Sequence, residues 1–198
     1  MKVVYKDIVL RDMIESDIED WIRWETVDTE WMDWDGPDMP AEQIDPDEYR
    51  NDLLEFVKEP REDGFRDFFE IQASDGQHLG RINSYALDGQ YQHMRWPDSG
   101  NDFIVAIGID ICDSRFWNRG YGRQAIAGFI QHFEAHGFSR ICTQTWSGNH
   151  RMIRCAQRLG FVECKRTIGN RHIRDEVYDS LTFRLDLDRF HKYLTENP

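Results

Sequence analysis

From residue 103 to residue 137 the chain reads as a strand, a glycine-bearing loop and a helix, a succession that constrains the fold more than any other stretch. Phe103-Ile104-Val105-Ala106-Ile107-Gly108-Ile109-Asp110-Ile111 is apolar enough to be central in a sheet. Gly120 to His136 then reads as a helix, with Gly137 as its stop. Between them lies Trp117-Asn118-Arg119-Gly120-Tyr121-Gly122-Arg123-Gln124-Ala125. Glycines at 120 and 122 let the backbone turn tightly and come close to a ligand. The amides and macrodipole of a helix N-terminus favour an anion there. Arg115, Arg119 and Arg123 add positive charge, so the segment suits a phosphate or a pyrophosphate. A Gly-x-Gly pair alone fits a ligand-free turn equally well. The dinucleotide fingerprint lacks its third glycine, and no Gly-Lys-Ser/Thr is present.

The rest of the chain supplies the frame. Alternation over Tyr5–Leu10 predicts a strand, and Ser16 or Asp17 caps a helix through Ile18, Trp21, Ile22 and Trp24. Glu30 to Pro37 is acidic, rich in tryptophan, and reads as a loop. Asp45-Pro46 opens a second helix that ends near Pro60. Phe65–Ala73 and His78–Leu87 form a hairpin around Ser74-Asp75-Gly76, and 89–101 is polar loop. Arg140–Trp146 is a strand, Asn149–Leu159 a helix stopped by Gly160, and Val162–Thr167 and Tyr178–Leu187 complete the sheet. Such an order fits one α/β (α+β) domain over residues 1–198.

Charge narrows the partners. Residues 1–100 carry 26 acids and 10 bases, whereas residues 101–198 carry 11 and 14, so nucleic acid is a poor partner. The division suits an anionic cofactor in one half and a cationic amine in the other, although solubility alone also explains it. No apolar run is long enough for a membrane span, the N-terminus reads as a strand, and a cytoplasmic protein is expected. The four cysteines show neither disulfide nor zinc spacing and are expected as buried thiols, and no metal site is expected. His132 and His136 read as ordinary helix residues.

Trp117-Asn118-Arg119-Gly120-Tyr121-Gly122 resembles motif A of the GNAT acyltransferases, Gln/Arg-x-x-Gly-x-Gly/Ala, with Trp117 at the Gln/Arg position. With Gln124-Ala125 it is similar to the branch that includes ribosomal-protein N-terminal acetyltransferases. Asn149 followed by Gly160-Phe161, and the late Tyr178-Asp179-Ser180-Leu181, match that branch in order and spacing. The resemblance implies a mostly antiparallel sheet of about seven strands flanked by helices, with strands four and five (Phe103–Ile111 and Arg140–Trp146) splayed around the pantetheine of acetyl-coenzyme A.

What the family implies for the site follows residue by residue. Backbone groups of Ile109, Asp110 and Ile111 bond the pantetheine, with the Ile109 N–H as oxyanion donor. Amides from Arg119 through Gly120, Tyr121 and Gly122 to Arg123 cradle the pyrophosphate, helped by Arg115 and Asn118. Asn149 binds the cofactor near the thioester, serves as a helix N-cap, or does both at once. The usual proton donors are missing, because Ala156 stands at the tyrosine position and Met152 at the serine position. Ala106 stands at the common glutamate base position, and Asp110, on the same strand face, is the candidate base or else a residue that caps or positions the pyrophosphate loop. Trp31, Asp33, Trp34 and Asp35 fall where the family shapes its acceptor site, and indole faces with carboxylates attract a cation. The same stretch also reads as a solvated acidic loop whose tryptophans anchor in the core. The expected reaction is acetyl transfer to a primary amine, either a cationic small molecule or a protein N-terminus. The alternative is an acyl-coenzyme A sensor without turnover. Among protein partners a homodimer is admitted.

Overall fold

The computed structural model describes residues 1–38, 44–59, 64–96 and 103–197. The chain falls into two compact units, Met1–Ile82 with Ile109–Gly128, and Asn83–Gly108 with Phe129–Pro198. Among the described residues the sheet has nine strands where about seven were expected, and it is mixed and mostly antiparallel with helices flanking it.

In the first unit the order is β1 (Lys2–Tyr5), β2 (Ile8–Arg11), β3 (Phe68–Ala73), the start of β4 (His78–Leu87), and the end of β6 (Ile104–Ile111). The single strand expected over Tyr5–Leu10 is a hairpin, because Lys6 takes a positive φ of 51° and turns the chain back on itself. Helix α1 (Ile18–Thr26) buries Ile18, Trp21, Ile22 and Trp24. Asp17 stands at its N-cap position, but the carboxylate turns back to the Ile14 amide and to Arg11 instead of capping the helix. A short 3-10 turn over Thr29–Asp33 opens the stretch expected as a loop, and residues 34–37 form neither helix nor strand. Helix α2 (Pro46–Lys58) begins as expected, with Asp45 accepting from the amides of Asp47 and Glu48. Its expected stop, Pro60, lies outside the described residues. Trp21, Trp24, Trp31, Met13, Ile18, Ile22 and Cys112 form one apolar cluster, against which Tyr49, Leu53, Leu54 and Val57 of α2 pack.

In the second unit β4 and β6 continue, followed by β7 (Ile141–Trp146), β9 (Glu176–Leu185) and the edge strand β8 (Phe161–Ile173), while β5 (His93–Met94) pairs with β4 inside the expected loop. The β8–β9 hairpin turns through Arg174 and Asp175, both at positive φ (52° and 67°), as a two-residue turn of the primed type requires. β6 and β7 run parallel, registered through Val105↔Ile141 and Ala106↔Cys142. Past those pairs the Ile107 carbonyl accepts from the Thr143 hydroxyl at 2.9 Å. Helix α3 (Tyr121–Ala135) ends where the Phe138 N–H reaches back to Phe133 O. Helix α4 (His150–Arg158) follows β7. Helix α5 (Leu187–Glu196), capped by Asp186, occupies a stretch for which only the end of a strand was expected.

Candidate active site

The glycine loop has the geometry an anion needs. Asn118 and Gly120 both sit at positive φ, 61° and 91°, so the chain curls just before α3 begins. The Gln124 N–H is bonded to Gly120 O at 3.1 Å, the first i−4 bond of the helix. Tyr121, Gly122 and Arg123 precede it and carry the orphan donors that any helix N-terminus leaves. Arg123 adds a buried Nε with no hydrogen-bond partner among the described residues, an orphaned cationic donor whose guanidinium borders Gly120. A Cβ at Gly120 would meet only that guanidinium among the described residues, at 3.7 Å, whereas one at Gly122 would touch the Ile111 and Ile109 side chains of β6, at 3.7 and 3.8 Å. The residues present therefore fit a diphosphate.

β6 carries the second half of the site. The Cys112 N–H donates to Leu79 O at 2.8 Å, and Asp110 O faces Gly80, so Asp110 and Cys112 spend their peptide groups on β4. By alternation, Ile109 and Ile111 turn theirs to the opposite edge. Ile111 O is taken by the Trp117 indole N–H at 2.6 Å, which ties the start of the loop to the strand. The Asp110 side chain is 10% exposed and accepts from Arg81 Nε at 3.0 Å. Burial pushes its pKa up, the nearby Asp35 pushes it further, and the Arg81 charge only partly offsets both, so it settles at about 7. A buried carboxyl poised there exchanges protons near neutrality.

The family model of the acetyltransferase (GNAT) domain matches residues 7–162. The chain belongs to the GNAT acetyltransferase family. No curated protein matches its sequence. Among solved structures it resembles a GNAT-family acetyltransferase from Bacillus anthracis, at 14% identity and a TM-score of 0.67, over 93% of this chain and 98% of that one. A ribosomal-protein alpha-N-acetyltransferase solved with coenzyme A superposes at 14% identity and a TM-score of 0.66, over 93% and 97%. A ribosomal-protein alanine acetyltransferase from Vibrio fischeri does so at 16% and 0.63, over 93% and 95%. At such identities the likeness to these structures concerns the GNAT fold.

The remaining sequence-predicted residues divide. Arg115 is engaged by its neighbour Asp113, which accepts from Nε at 2.9 Å, so its charge is largely neutralised locally. Exposed Arg119 lies over the Phe116 ring, 5.6 Å from its centroid. In the acidic stretch Trp31 is buried and donates its indole N–H to Trp24 O at 3.0 Å, which makes it a packing residue. Trp34 is half-buried, and Asp33 and Asp35 are exposed. Asn149, in the second unit, caps α4 by accepting from the Met152 amide at 3.0 Å. Ala156 is buried in that helix, where many GNAT proteins carry a tyrosine.

Sequence reading missed two features of this GNAT chain. Arg81, half-buried on β4, lies 4.8 Å from the Trp21 ring centroid and 6.0 Å from that of Trp31. Behind it runs a buried ionic network. His78 contacts Glu70 at 2.9 Å and Asp20 at 3.2 Å, and Asp17 takes a bidentate pair from Arg11 at 2.6 and 2.7 Å. Burial alone would lower the His78 pKa, but its carboxylate partners Asp20 and Glu70 prevail and raise it to about 9. Among the described residues no histidine, cysteine and carboxylate cluster has metal-site geometry.

Proposed function

We propose that this protein is an N-acetyltransferase, a single domain over residues 1–198, that moves an acetyl group from acetyl-coenzyme A to a primary amine by direct attack. Acetyl-coenzyme A supplies a thioester, an acyl group already activated toward amines. The amides from Arg119 to Arg123 hold its diphosphate, with Asn118 shaping the turn and the orphaned Arg123 Nε adding charge. Arg115 stands at the rim of that loop. Ile109 and Ile111 present strand-like peptide groups to the pantetheine, and the Ile109 N–H is the oxyanion donor. Asp110 contributes its side chain, because its carbonyl lies against Gly80 of β4. Asn149, the cap of α4, is proposed to bind the cofactor as well.

The observation that carries the reading is the Asp110 carboxyl, buried beside Arg81 with its pKa raised to about 7. An ammonium acceptor must lose a proton before its lone pair can attack, and a carboxylate of that basicity can take it. Acceptors of both kinds, cationic small molecules and protein N-termini, suit a site where the charges of Glu25 and Asp35 reach Asp110, with Trp34 and Asp33 of the same acidic stretch as further candidates, and the proposed location is the cytoplasm. Among the described residues no helix is long and apolar enough to cross a membrane.

Calorimetry with coenzyme A and a free-thiol assay with acetyl-coenzyme A over an amine panel test this. Tight binding abolished by Gly120→Glu, together with thiol release that depends on one class of amine, is expected. Undiminished binding by Gly120→Glu overturns the loop assignment. Binding without transfer to any amine would establish a sensor in place of an enzyme.

A further inference from the structure

Asp110 is held by an unusually rigid partner. Arg81 donates from Nε to Oδ2 of Asp110 at 3.0 Å, and this is the only hydrogen bond of either side chain among the described residues. Its guanidinium lies against the rings of Trp21 and Trp31. Both indoles are fixed by their own N–H groups. Trp21 Nε1 donates to the two Glu70 oxygens at 3.3 Å each, and Trp31 Nε1 donates to Trp24 O at 3.0 Å. Glu70 is in turn fixed by His78 at 2.9 Å. A cation lodged between two nearly perpendicular indoles whose orientation is set this way has little freedom to swing away.

We propose that Arg81 is the positioning residue of this active site: lodged between the rings of Trp21 and Trp31, it holds Oδ2 of Asp110 and leaves Oδ1 as the oxygen that takes the acceptor's proton. The inference rests on the reading of Asp110 as the base.

The charges around Asp110 make the role measurable. Arg81 from β4 lowers its proton affinity, while Asp35 beyond the 3-10 turn and Glu25 from α1 raise it. The neighbouring groups Cys112 and Tyr49 carry no charge to compete: burial lifts the Cys112 thiol well above its ordinary value and lifts Tyr49 to about 12. Removing the Arg81 cation leaves burial and two like charges unopposed, so Asp110 would keep its proton to higher pH. Removing the Asp35 charge has the opposite sign. An ion pair that serves only to hold β4 against β6 would contribute stability, yet a variant without it would lose activity alike at all pH values.

The experiment is a carbon-13 titration of protein labelled at aspartate carboxyls, the Asp110 signal being the one absent from Asp110→Asn. A midpoint near 7 is expected in the parent protein. Arg81→Gln should raise it by about one pH unit or more, and Asp35→Asn should lower it. Arg81→Lys, which keeps the charge, should bring it back toward the parent value. Acetyl transfer from acetyl-coenzyme A to spermidine, and to a short peptide with a free N-terminus, should fall about tenfold at neutral pH in Arg81→Gln and recover as pH rises. A midpoint unmoved by both Arg81→Gln and Asp35→Asn overturns the proposal. Full transfer by Asp110→Asn would instead overturn the base assignment, whatever the titration shows, so the two failures are distinguishable.

Discussion

Gly80 and Asp110 pass so closely that a Cβ on residue 80 would lie 2.0 Å from the Asp110 carbonyl oxygen. Gly80 is also at φ +142°, a conformation that side chains rarely adopt. The neighbour is backbone, so it cannot rotate out of the way. Gly80→Ala should therefore force β4 from β6 at the residue that carries the base, with a loss of about 2–4 kcal/mol in a urea titration. Activity should fall more than stability explains, because Arg81 is the next residue on the displaced strand. A variant with parent stability would show that the strands can separate freely here.

Trp117 should matter for the loop more than for the fold. Its indole N–H reaches Ile111 O at 2.6 Å, and Trp117→Phe keeps most of the ring while deleting that donor. A half-exposed hydrogen bond contributes about 1 kcal/mol, so the melting temperature should move only a few degrees. Coenzyme A affinity should fall clearly more, since the loop between residues 117 and 123 loses its tie to the strand. Equal affinity for both proteins by calorimetry would separate the indole from cofactor binding.

His78 makes stability depend on pH in a defined direction. Its folded value of about 9 lies above the ordinary value of 6.5, so the stabilisation is fully present below about pH 6.5 and is lost as pH rises through 9. That difference corresponds to about 3 kcal/mol. The parent protein should lose that much between about pH 6 and pH 10 relative to His78→Gln, measured by urea midpoints. Parallel pH curves for the two proteins would mean that His78 is neutral inside its carboxylate cage.

Asn149 offers a test that separates capping from cofactor binding. Asn149→Ala removes the acceptor for the Met152 amide and should cost about 1 kcal/mol. Asn149→Ser retains a capping oxygen and should restore stability without restoring coenzyme A affinity. If serine restores both, the residue is a cap and nothing more.

What could be read from the chain beforehand was whatever is encoded locally. The run from Phe103 to Ile111, the Asp-Gly turn of the β3–β4 hairpin and the glycine loop ahead of α3 each declare themselves within a dozen residues, and all three stand in the structure. Lys6 defeated local reading, since an alternating pattern continues through a turn that only its positive φ reveals. Helix α5 was legible in principle, with Asp186 as cap and Leu187, Phe190 and Leu194 on one face, but extending the strand to Leu187 consumed its first turn. The Arg81–Asp110 pair joins residues 29 apart, and no local signal says which arginine will face which aspartate. Trp31 taught the converse. Its acidic neighbours suggested an acceptor surface, while its indole is spent in the core, because polarity of a segment says little about which way one large ring turns.

The two compact units have a bearing on biogenesis. Each is assembled from two separated stretches of chain, so neither corresponds to a contiguous fragment. During synthesis the first unit lacks its Ile109–Gly128 stretch, including the diphosphate loop, until 26 residues of the second have already emerged. The first unit therefore closes only after Gly128 has been made, and the second only after the Phe129–Pro198 stretch has followed. A nascent chain stalled before residue 109 would expose the unpaired flank of β4, and chaperone capture is most needed in that interval.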